Sequence, residues 1–190
     1  MSEPIEIPDF LEEAERQALL EELVAASTAA STLMNEAAGG VVNVSARRSK
    51  RVTVSEATAE RVRQRLLAAM APLAEHFGAQ VSTCEAPQFL RYDEGDFFVP
   101  HQDGNTPLVH DDSRFRRISA VIFLSPRSEE PAPGTYGGGD LCFHGRYVGQ
   151  FEPTPASGTP GTLVAFPSEE THEVTPVTHG VRFTIAAWYR

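Results

Sequence analysis

Between residues 10 and 26, apolar side chains recur at close to helical spacing, at Leu11, Ala14, Ala18, Leu19 and Val24. Glu12, Glu15, Arg16, Glu21 and Glu22 supply the opposite, polar face. The pattern predicts an amphipathic helix. Asp9 precedes it as an N-cap, and carboxylates fill its first turn, where they complement the helix dipole. A second stripe, Val62, Leu66, Met70, Leu73 and Phe77, predicts a helix that Ser55 caps and Gly78 stops. Between the helices, β-branched runs at 41–44 and 52–54 flank the basic run Arg47-Arg48-Ser49-Lys50-Arg51, which suits two strands joined by a solvated loop. Residues 27–40, rich in Ala, Ser and Thr and closed by two glycines, fit a frayed helix or a loop.

The texture changes at Val81. Short apolar or alternating runs punctuated by Gly and Pro predict strands at 88–92, 97–99, 118–124, 139–144, 162–166 and 181–189, the pattern of a sandwich or barrel. The fold class is mainly β with N-terminal helices (α+β). The connections 104–117 and 125–138 are long for a compact domain and are candidate substrate loops.

The chain's 190 residues suit one domain, and a chain of that length buries about 70% of its unfolded surface without disulfides or a structural metal. Any metal is therefore for function. With 16 basic against 26 acidic residues and a net charge of −10, the chain lacks the basic field that nucleic acids or anionic membranes require. Cys84 and Cys142 lie far apart, form no CxxC pair and read as core thiols in a reducing compartment. No leader pattern opens the chain and no run approaches about 18 apolar residues, so the expected location is the cytoplasm.

His101-Gln102-Asp103 sets an imidazole and a carboxylate two residues apart, on one face of an extended chain. His172 follows the predicted strand that ends at Phe166. Two His and one carboxylate from different strands make the facial triad of non-haem Fe(II) oxygenases, with positions left open for substrate and dioxygen. Arg182 sharpens the reading. It opens the nearly continuous apolar run 181–189, where alternation puts Arg182, Thr184, Ala186 and Trp188 on one face. A buried guanidinium there requires an anion. A dicarboxylate cosubstrate supplies one, its far carboxylate on Arg182 and the Thr184 hydroxyl while its 2-oxo acid end chelates iron.

The run from Gln88 to Asp103 contains Tyr92-Asp93-Glu94-Gly95 ahead of His101-Gln102-Asp103. Ile118 to Ser125, Tyr136 to Leu141, Gly161 to Phe166, and His172 to Val177 with Arg182 follow in order. Over residues 81–190 the chain resembles 2-oxoglutarate/Fe(II) dioxygenases of the prolyl-4-hydroxylase type. The resemblance implies a double-stranded β-helix (jelly-roll, cupin-like) core supported by two or more helices. It makes 1–190 a single domain, with 1–80 as support and 81–190 as the catalytic core. It places Fe(II) on His101, Asp103 and His172, and 2-oxoglutarate on Arg182, Thr184 and Tyr92, with O2 as the oxidant and ascorbate as an accessory reductant.

The implied reaction couples decarboxylation of 2-oxoglutarate to succinate and CO2 with hydroxylation of an unactivated C–H. A prolyl or other amino-acid residue of a peptide or protein comes first as substrate, and a small natural product or free amino acid second. Halogenating relatives carry a small residue in place of the carboxylate, so Asp103 favours hydroxylation. A metal-holding jelly-roll sensor without turnover and a zinc hydrolase are the readings from other classes. Phe123 stands where prolyl hydroxylases often carry a Tyr that bonds the distal carboxylate, which leaves Thr184, with Ser119 on the face of Phe123, to make the second contact. Gln88 shares a strand face with Tyr92. The basic run Arg47 to Arg51 matches the place of a loop near the site mouth, where it would grip an acidic substrate.

The other histidines read as structural: His76 as a dipole partner at a helix C-terminus, and His110, His144 and His179 as loop or strand-end residues, with His144 the one that could face the pocket. Glu169, Glu170 and Glu173 are solvated charges, one of which could hold the His172 imidazole. Gly137-Gly138-Gly139 lacks the lysine and following helix of a P-loop and reads as a tight turn. The oligomeric state is left open by the sequence.

Overall fold

The computed structural model describes residues 3–30 and 45–190. In chain order the elements are β1 (Ile5–Ile7), α1 (Glu13–Ala25), β2 (Thr28–Ala30), β3 (Arg47–Arg48), β4 (Lys50–Val52), α2 (Glu56–Phe77), β5 (Gln88–Tyr92) and β6 (Phe97–His101). There follow β7 (Ile118–Phe123), β8 (Tyr136–Gly138), β9 (Leu141–Phe143), β10 (Thr154–Pro155), β11 (Leu163–Pro167), β12 (His172–Val174), β13 (Val177–Gly180) and β14 (Arg182–Tyr189). A 3-10 turn, Asp112–Phe115, sits in the connection ahead of β7. The predicted strand at 41–44 lies outside the described residues.

Seven strands form one antiparallel sheet in the order β1-β11-β7-β14-β5-β4-β2, and five form a second in the order β10-β9-β12-β6-β3. The expected mainly β class, with two helices, is the architecture observed. The central strands of the large sheet are apolar on both faces because both are covered. From β14, Phe183, Ile185, Ala187 and Tyr189 join Leu19 and Leu23 of α1 and Val62, Leu66 and Leu73 of α2 in one core. Ala186 and Trp188 point the other way, into a cluster with Tyr92 of β5 and Val174 of β12. A third cluster joins Phe123, Val164 and Phe166 of the large sheet to Leu141 and Phe143 of the small one. Helices, sheet and sheet are thus three layers, and the interior between the two sheets is where a cavity opens.

The second helix forms as its sequence predicts. Ser55 Oγ accepts from the Thr58 N–H at 3.3 Å, and Gly78 closes the helix at φ 59° with its N–H on the Ala74 and Glu75 carbonyls. Tyr189 locks the helix to the sheet by donating its hydroxyl to the Leu66 carbonyl at 2.9 Å.

The first helix departs from expectation. It begins at Glu13 rather than at 10, with Glu12 as an N-cap that makes no side-chain bond. Asp9 caps nothing because it turns the chain at φ 52°. The buried face runs through Arg16, Leu19 and Leu23, and Val24 is 62% exposed. Arg16 left the predicted polar face because its guanidinium has partners in the interior: it bonds Glu13 and donates to the Leu124 carbonyl at 2.5 Å.

The first eighty residues do more than support. β1, β2 and β4 extend the large sheet and β3 the small one, so Arg47, Arg48, Lys50 and Arg51 belong to strands rather than to a loop. The expected strand at 52–54 is displaced toward 50–52, where β4 pairs β5 through Lys50↔Arg91 and Arg51↔Leu90. Lys50 is anchored there by an ion pair with Asp93.

Leu66→Ala is expected to cost about 2–5 kcal/mol, and Val24→Ala to stay within about 0.5 kcal/mol of the parent; urea unfolding of the two variants checks the assignment of the helix faces. Acid stability has a marker in Glu85, which accepts two bonds from Arg116 at 2.8 and 2.7 Å and one from Arg190 at 2.6 Å. Burial alone would raise its pKa, but these guanidinium partners hold it below the usual carboxylate value. In the unfolded chain Glu85 takes up its proton first, so its contribution is present above about pH 4.5 and is lost as the pH falls below. Glu85→Gln should therefore flatten the pH dependence of the unfolding midpoint in acid and leave its slope near neutrality unchanged.

Candidate active site

His101 ends β6 and His172 opens β12, and the two residues are direct cross-strand partners. From Phe98 to His101 takes three steps along β6, against two from Val174 to His172 along β12. That extra residue is a β-bulge, and it turns Phe98 and His101 toward one side when simple alternation would separate them. Phe98 stacks on the His101 ring at 3.5 Å between centroids, and Phe166 meets the His172 ring edge-on at 4.6 Å. Asp103 is brought in just beyond the strand, its own N–H and that of Gly104 both donating to the Ser168 carbonyl.

The result is a convergent triad. One potential ligand atom from each of His101, Asp103 and His172 lies within 4.8 Å of the others. His101 Nε2 is 3.6 Å from one Asp103 oxygen, and His172 Nε2 is 3.4 Å from the other. Both Nδ1 atoms face backbone carbonyls at 2.9 Å, His101 that of Val99 and His172 that of Glu170. Donation of Nδ1–H to those carbonyls leaves each Nε2 with a free lone pair aimed at the centre. The His172 imidazole is held by a backbone carbonyl and not, as the acidic residues around it suggested, by a carboxylate. Burial first, and then the neighbouring His101, push its pKa down to about 4. Burial would raise the Asp103 pKa, but His172 and His101 more than offset that and hold its carboxyl far below the ordinary range. A neutral His172 and an ionised Asp103 are protonation states that a divalent cation would require of these two ligands.

Arg182 projects from the neighbouring sheet and is 1% exposed. Its guanidinium lies 5.1 Å from the Tyr92 ring centroid and 5.2 Å from that of Phe123. Nη1 makes a long, 3.4 Å contact to Thr184 Oγ1, while Nε and Nη2 are buried with no partner among the described residues. The backbone makes room for this arginine. Gly139, at φ 60°, approaches so closely that a β-carbon would sit 2.9 Å from Arg182 Cδ. The glycine run is not the tight turn expected: Gly137 and Gly138 end strand β8, paired with β13, and only Gly139 packs on the arginine.

A cavity of about 270 Å³ joins the two halves of the site, lined by the three triad residues and by Tyr92, Arg182 and Thr184 among others. All six residues singled out in the sequence therefore face one space. Gln88 lines it as well. Ser119 does not make the contact to a cosubstrate carboxylate that its strand face suggested: its hydroxyl is spent on Asp103 Oδ2 at 2.8 Å and Ser168 Oγ at 3.0 Å. His144 turns away, buried against Glu173 at 2.9 Å. Residues the sequence reading missed are Phe98, hidden by the bulge, and Ser168, whose loop position carries no motif. The basic run is solvated only in part: Arg48 and Arg51 are exposed, as expected, but Arg47 is buried, and both Arg47 and Arg51 line the cavity.

Ser119→Ala removes the side chain that orients Asp103, and a competitive metal titration should find the iron affinity lowered by about 10–100-fold with the fold intact.

Comparison with known proteins agrees with this geometry. The 2OG-Fe(II) oxygenase superfamily matches residues 87–190. A PKHD-type hydroxylase of Paracoccus denitrificans is 36% identical over 104 residues, covering 54% of this chain and 41% of that protein. One from Hyphomonas neptunium is 33% identical over 146 residues, covering 75% of this chain and 59% of the relative. The chain thus spans between about two fifths and three fifths of the length of these curated relatives. In fold it is similar to a Pseudomonas putida prolyl-4-hydroxylase, with TM-score 0.72 and 19% identity over 98% of this chain and 91% of that one. A Trichoplax adhaerens prolyl hydroxylase, in complex with a hypoxia inducible factor peptide fragment, superposes with TM-score 0.74 and 17% identity over 100% of this chain and 84% of that one. These neighbours carry the jelly-roll fold of 2-oxoglutarate oxygenases. The chain belongs to the 2OG-Fe(II) oxygenase superfamily, whose cofactors are Fe(II), 2-oxoglutarate and O2.

Proposed function

We propose that the chain is a 2-oxoglutarate-dependent hydroxylase in which His101, Asp103 and His172 hold Fe(II), and Arg182, Thr184 and Tyr92 hold the distal carboxylate of 2-oxoglutarate. The observation that carries the proposal is the buried Arg182 guanidinium, with two N–H-bearing nitrogens that no group among the described residues satisfies. Such a group is costly unless an anion arrives to pair with it. A carboxylate meets that need in fork geometry, and the Tyr92 and Phe123 rings keep water from competing for it.

When bound, iron and cosubstrate supply dioxygen activation coupled to decarboxylation of 2-oxoglutarate to succinate and CO2, with one oxygen atom passing to a substrate C–H. The chain's own residues set the stage for that chemistry. The backbone carbonyls of Val99 and Glu170 fix the imidazole rings, Ser119 fixes Asp103, and Arg182 fixes the far end of the cosubstrate. Three protein ligands leave open positions for 2-oxoglutarate and O2. The substrate is assigned to prolyl or other amino-acid residues of a peptide, a choice supported by the PKHD-type relatives and by the fold neighbour in complex with a peptide. Residues 1–190 are taken as one domain, since strands from the first eighty residues extend both sheets.

Arg182→Ala is expected to weaken 2-oxoglutarate binding by at least about thirtyfold, the lower end of what truncating one member of a buried charge pair costs, while Mn(II) affinity stays within about threefold. Calorimetry with Mn(II) and 2-oxoglutarate, alongside succinate release in air with Fe(II), checks both. Unchanged 2-oxoglutarate affinity, or no succinate from the parent protein, would sink the assignment.

A further inference from the structure

The basic run 47–51 is left over by the chemistry described so far, and its side chains lie at the cavity. Arg47 is 8% exposed, its Nε donates to Ser49 Oγ at 2.9 Å, and its guanidinium carbon lies 4.8 Å from the centroid of Phe98, the ring on which His101 stacks. No carboxylate pairs with Arg47 or Arg51 among the described residues, although both line the cavity. Arg116, the other arginine of this rim, is already paired through two hydrogen bonds to Glu85, which also accepts from Arg190. The cavity's two aspartates are also committed, Asp103 to the triad and Asp111 to the Ser113 N–H at 2.8 Å. Beside the arginines, the Gln88 amide oxygen is buried with no donor, and Gln88 and Arg51 together join the main cavity to a second one of about 380 Å³. That second space lies where β4 parts from β5, pairing with it only through Lys50 and Arg51.

We infer that Arg47 and Arg51 bind a carboxylate of the substrate close to its hydroxylated carbon, while the Gln88 amide oxygen accepts a substrate N–H, so that the substrate class is acidic peptides or amino-acid derivatives. Two guanidiniums with no carboxylate partner among the described residues, beside the candidate metal site and in a chain of net charge −10, form a local cationic island that attracts an anion. The Arg51 guanidinium has its pKa lowered by burial and then by repulsion from Arg47 and Arg116. An arriving carboxylate relieves that repulsion. A neutral or cationic substrate leaves it in place and adds a desolvation cost. An acceptor beside two cationic donors matches the N–H and carboxylate that an acidic amino-acid unit offers together.

This substrate class presupposes the hydroxylase activity proposed above, and the two are tested apart. Trp188 is the chain's only tryptophan and lines the cavity, so its fluorescence reports occupancy without turnover. The protein loaded with Mn(II) and 2-oxoglutarate is titrated with acetyl-Glu-Pro-Glu-amide and its isostere acetyl-Gln-Pro-Gln-amide, and separately with N-acetylglutamate and N-acetylglutamine. The acidic member of a pair is expected to bind about 10–100-fold more tightly, the range of a charge-assisted hydrogen bond. High salt should shrink that preference, and so should Arg51→Gln, whose exposed position spares the fold, and Arg47→Gln. Gln88→Leu should weaken the two members of a pair alike. Preference within the peptide pair assigns the carboxylate to a polypeptide, and preference within the amino-acid pair alone assigns it to a small molecule. Equal binding within both pairs, including none, overturns the inference, as does a preference that survives both arginine substitutions. Peptide-independent succinate release by the parent enzyme tests the hydroxylase activity in the same preparation, so its loss is distinguishable from a wrong substrate class.

Discussion

A guanidinium buried without a counterion is the constraint around which the rest of this molecule is arranged. Arg182 is 1% exposed, and two of its three nitrogens have no partner among the described residues. Burying an uncompensated ion costs several kcal/mol even after relaxation, a large share of the 5–15 kcal/mol that typically separates folded from unfolded domains. The arginine can stay only because neighbouring structure confines it. Tyr92 is its register partner on β5, Thr184 pairs with Phe123 on β7, and Gly139 leaves no room for a β-carbon beside its Cδ. A site strained in this way is primed for an anion, because pairing relieves a cost already present in the free protein.

The stability that offsets this cost is built on the opposite face of the same strand. Alternation along β14 sends Phe183, Ile185, Ala187 and Tyr189 to the helices and Arg182, Thr184, Ala186 and Trp188 to the cavity. One eight-residue segment therefore serves the core and the site, and a slip of one residue would exchange the two sets completely. Strands β7 and β5, which flank β14, hold its register, and the same neighbours supply Ser119, Phe123 and Tyr92 to the interior. Rigid central strands explain why a loop-rich chain can keep polar groups from two sheets in register.

Much of this was legible in the residues. The period-2 pattern of 181–189 located both faces of β14, and the His-x-Asp spacing with a later His and Arg identified the side chains that converge. Helix α2 was readable from its stripe, cap and glycine stop, all local signals. Helix α1 was not: Arg16 buries itself by reaching the Leu124 carbonyl, more than a hundred residues away, and Asp9 adopts a left-handed turn in place of a cap. Phe98 escaped because a bulge breaks alternation, and no single strand's sequence records its partner's length. Arg47 read as solvated because charge in a short run normally is, and the place of both Arg47 and Arg51 at the cavity was not legible in the run itself. Pairing of β3 with β6 and of β4 with β5 carries them to the cavity, a tertiary fact invisible to local pattern.

The acidic surface and the cationic interior are compatible because electrostatic reach is short. Exposed charges are largely screened beyond about 8–10 Å at physiological ionic strength, so the net charge of −10 says little about an anion already inside the cavity. There the balance is set by four arginines against two aspartates, in surroundings where water is scarce and each interaction is stronger. Of those arginines, Arg116 is paired with Glu85, which Arg190 shares. In the proposed function Arg182 takes the cosubstrate, leaving Arg47 and Arg51 as the two cavity arginines with no carboxylate paired to them among the described residues. Phe123 adds to the asymmetry. It gives the Arg182 guanidinium an apolar wall where a tyrosine would have added a hydroxyl, so the cosubstrate binding proposed above would lean more heavily on charge, and on Thr184, than it would with a phenol in that place.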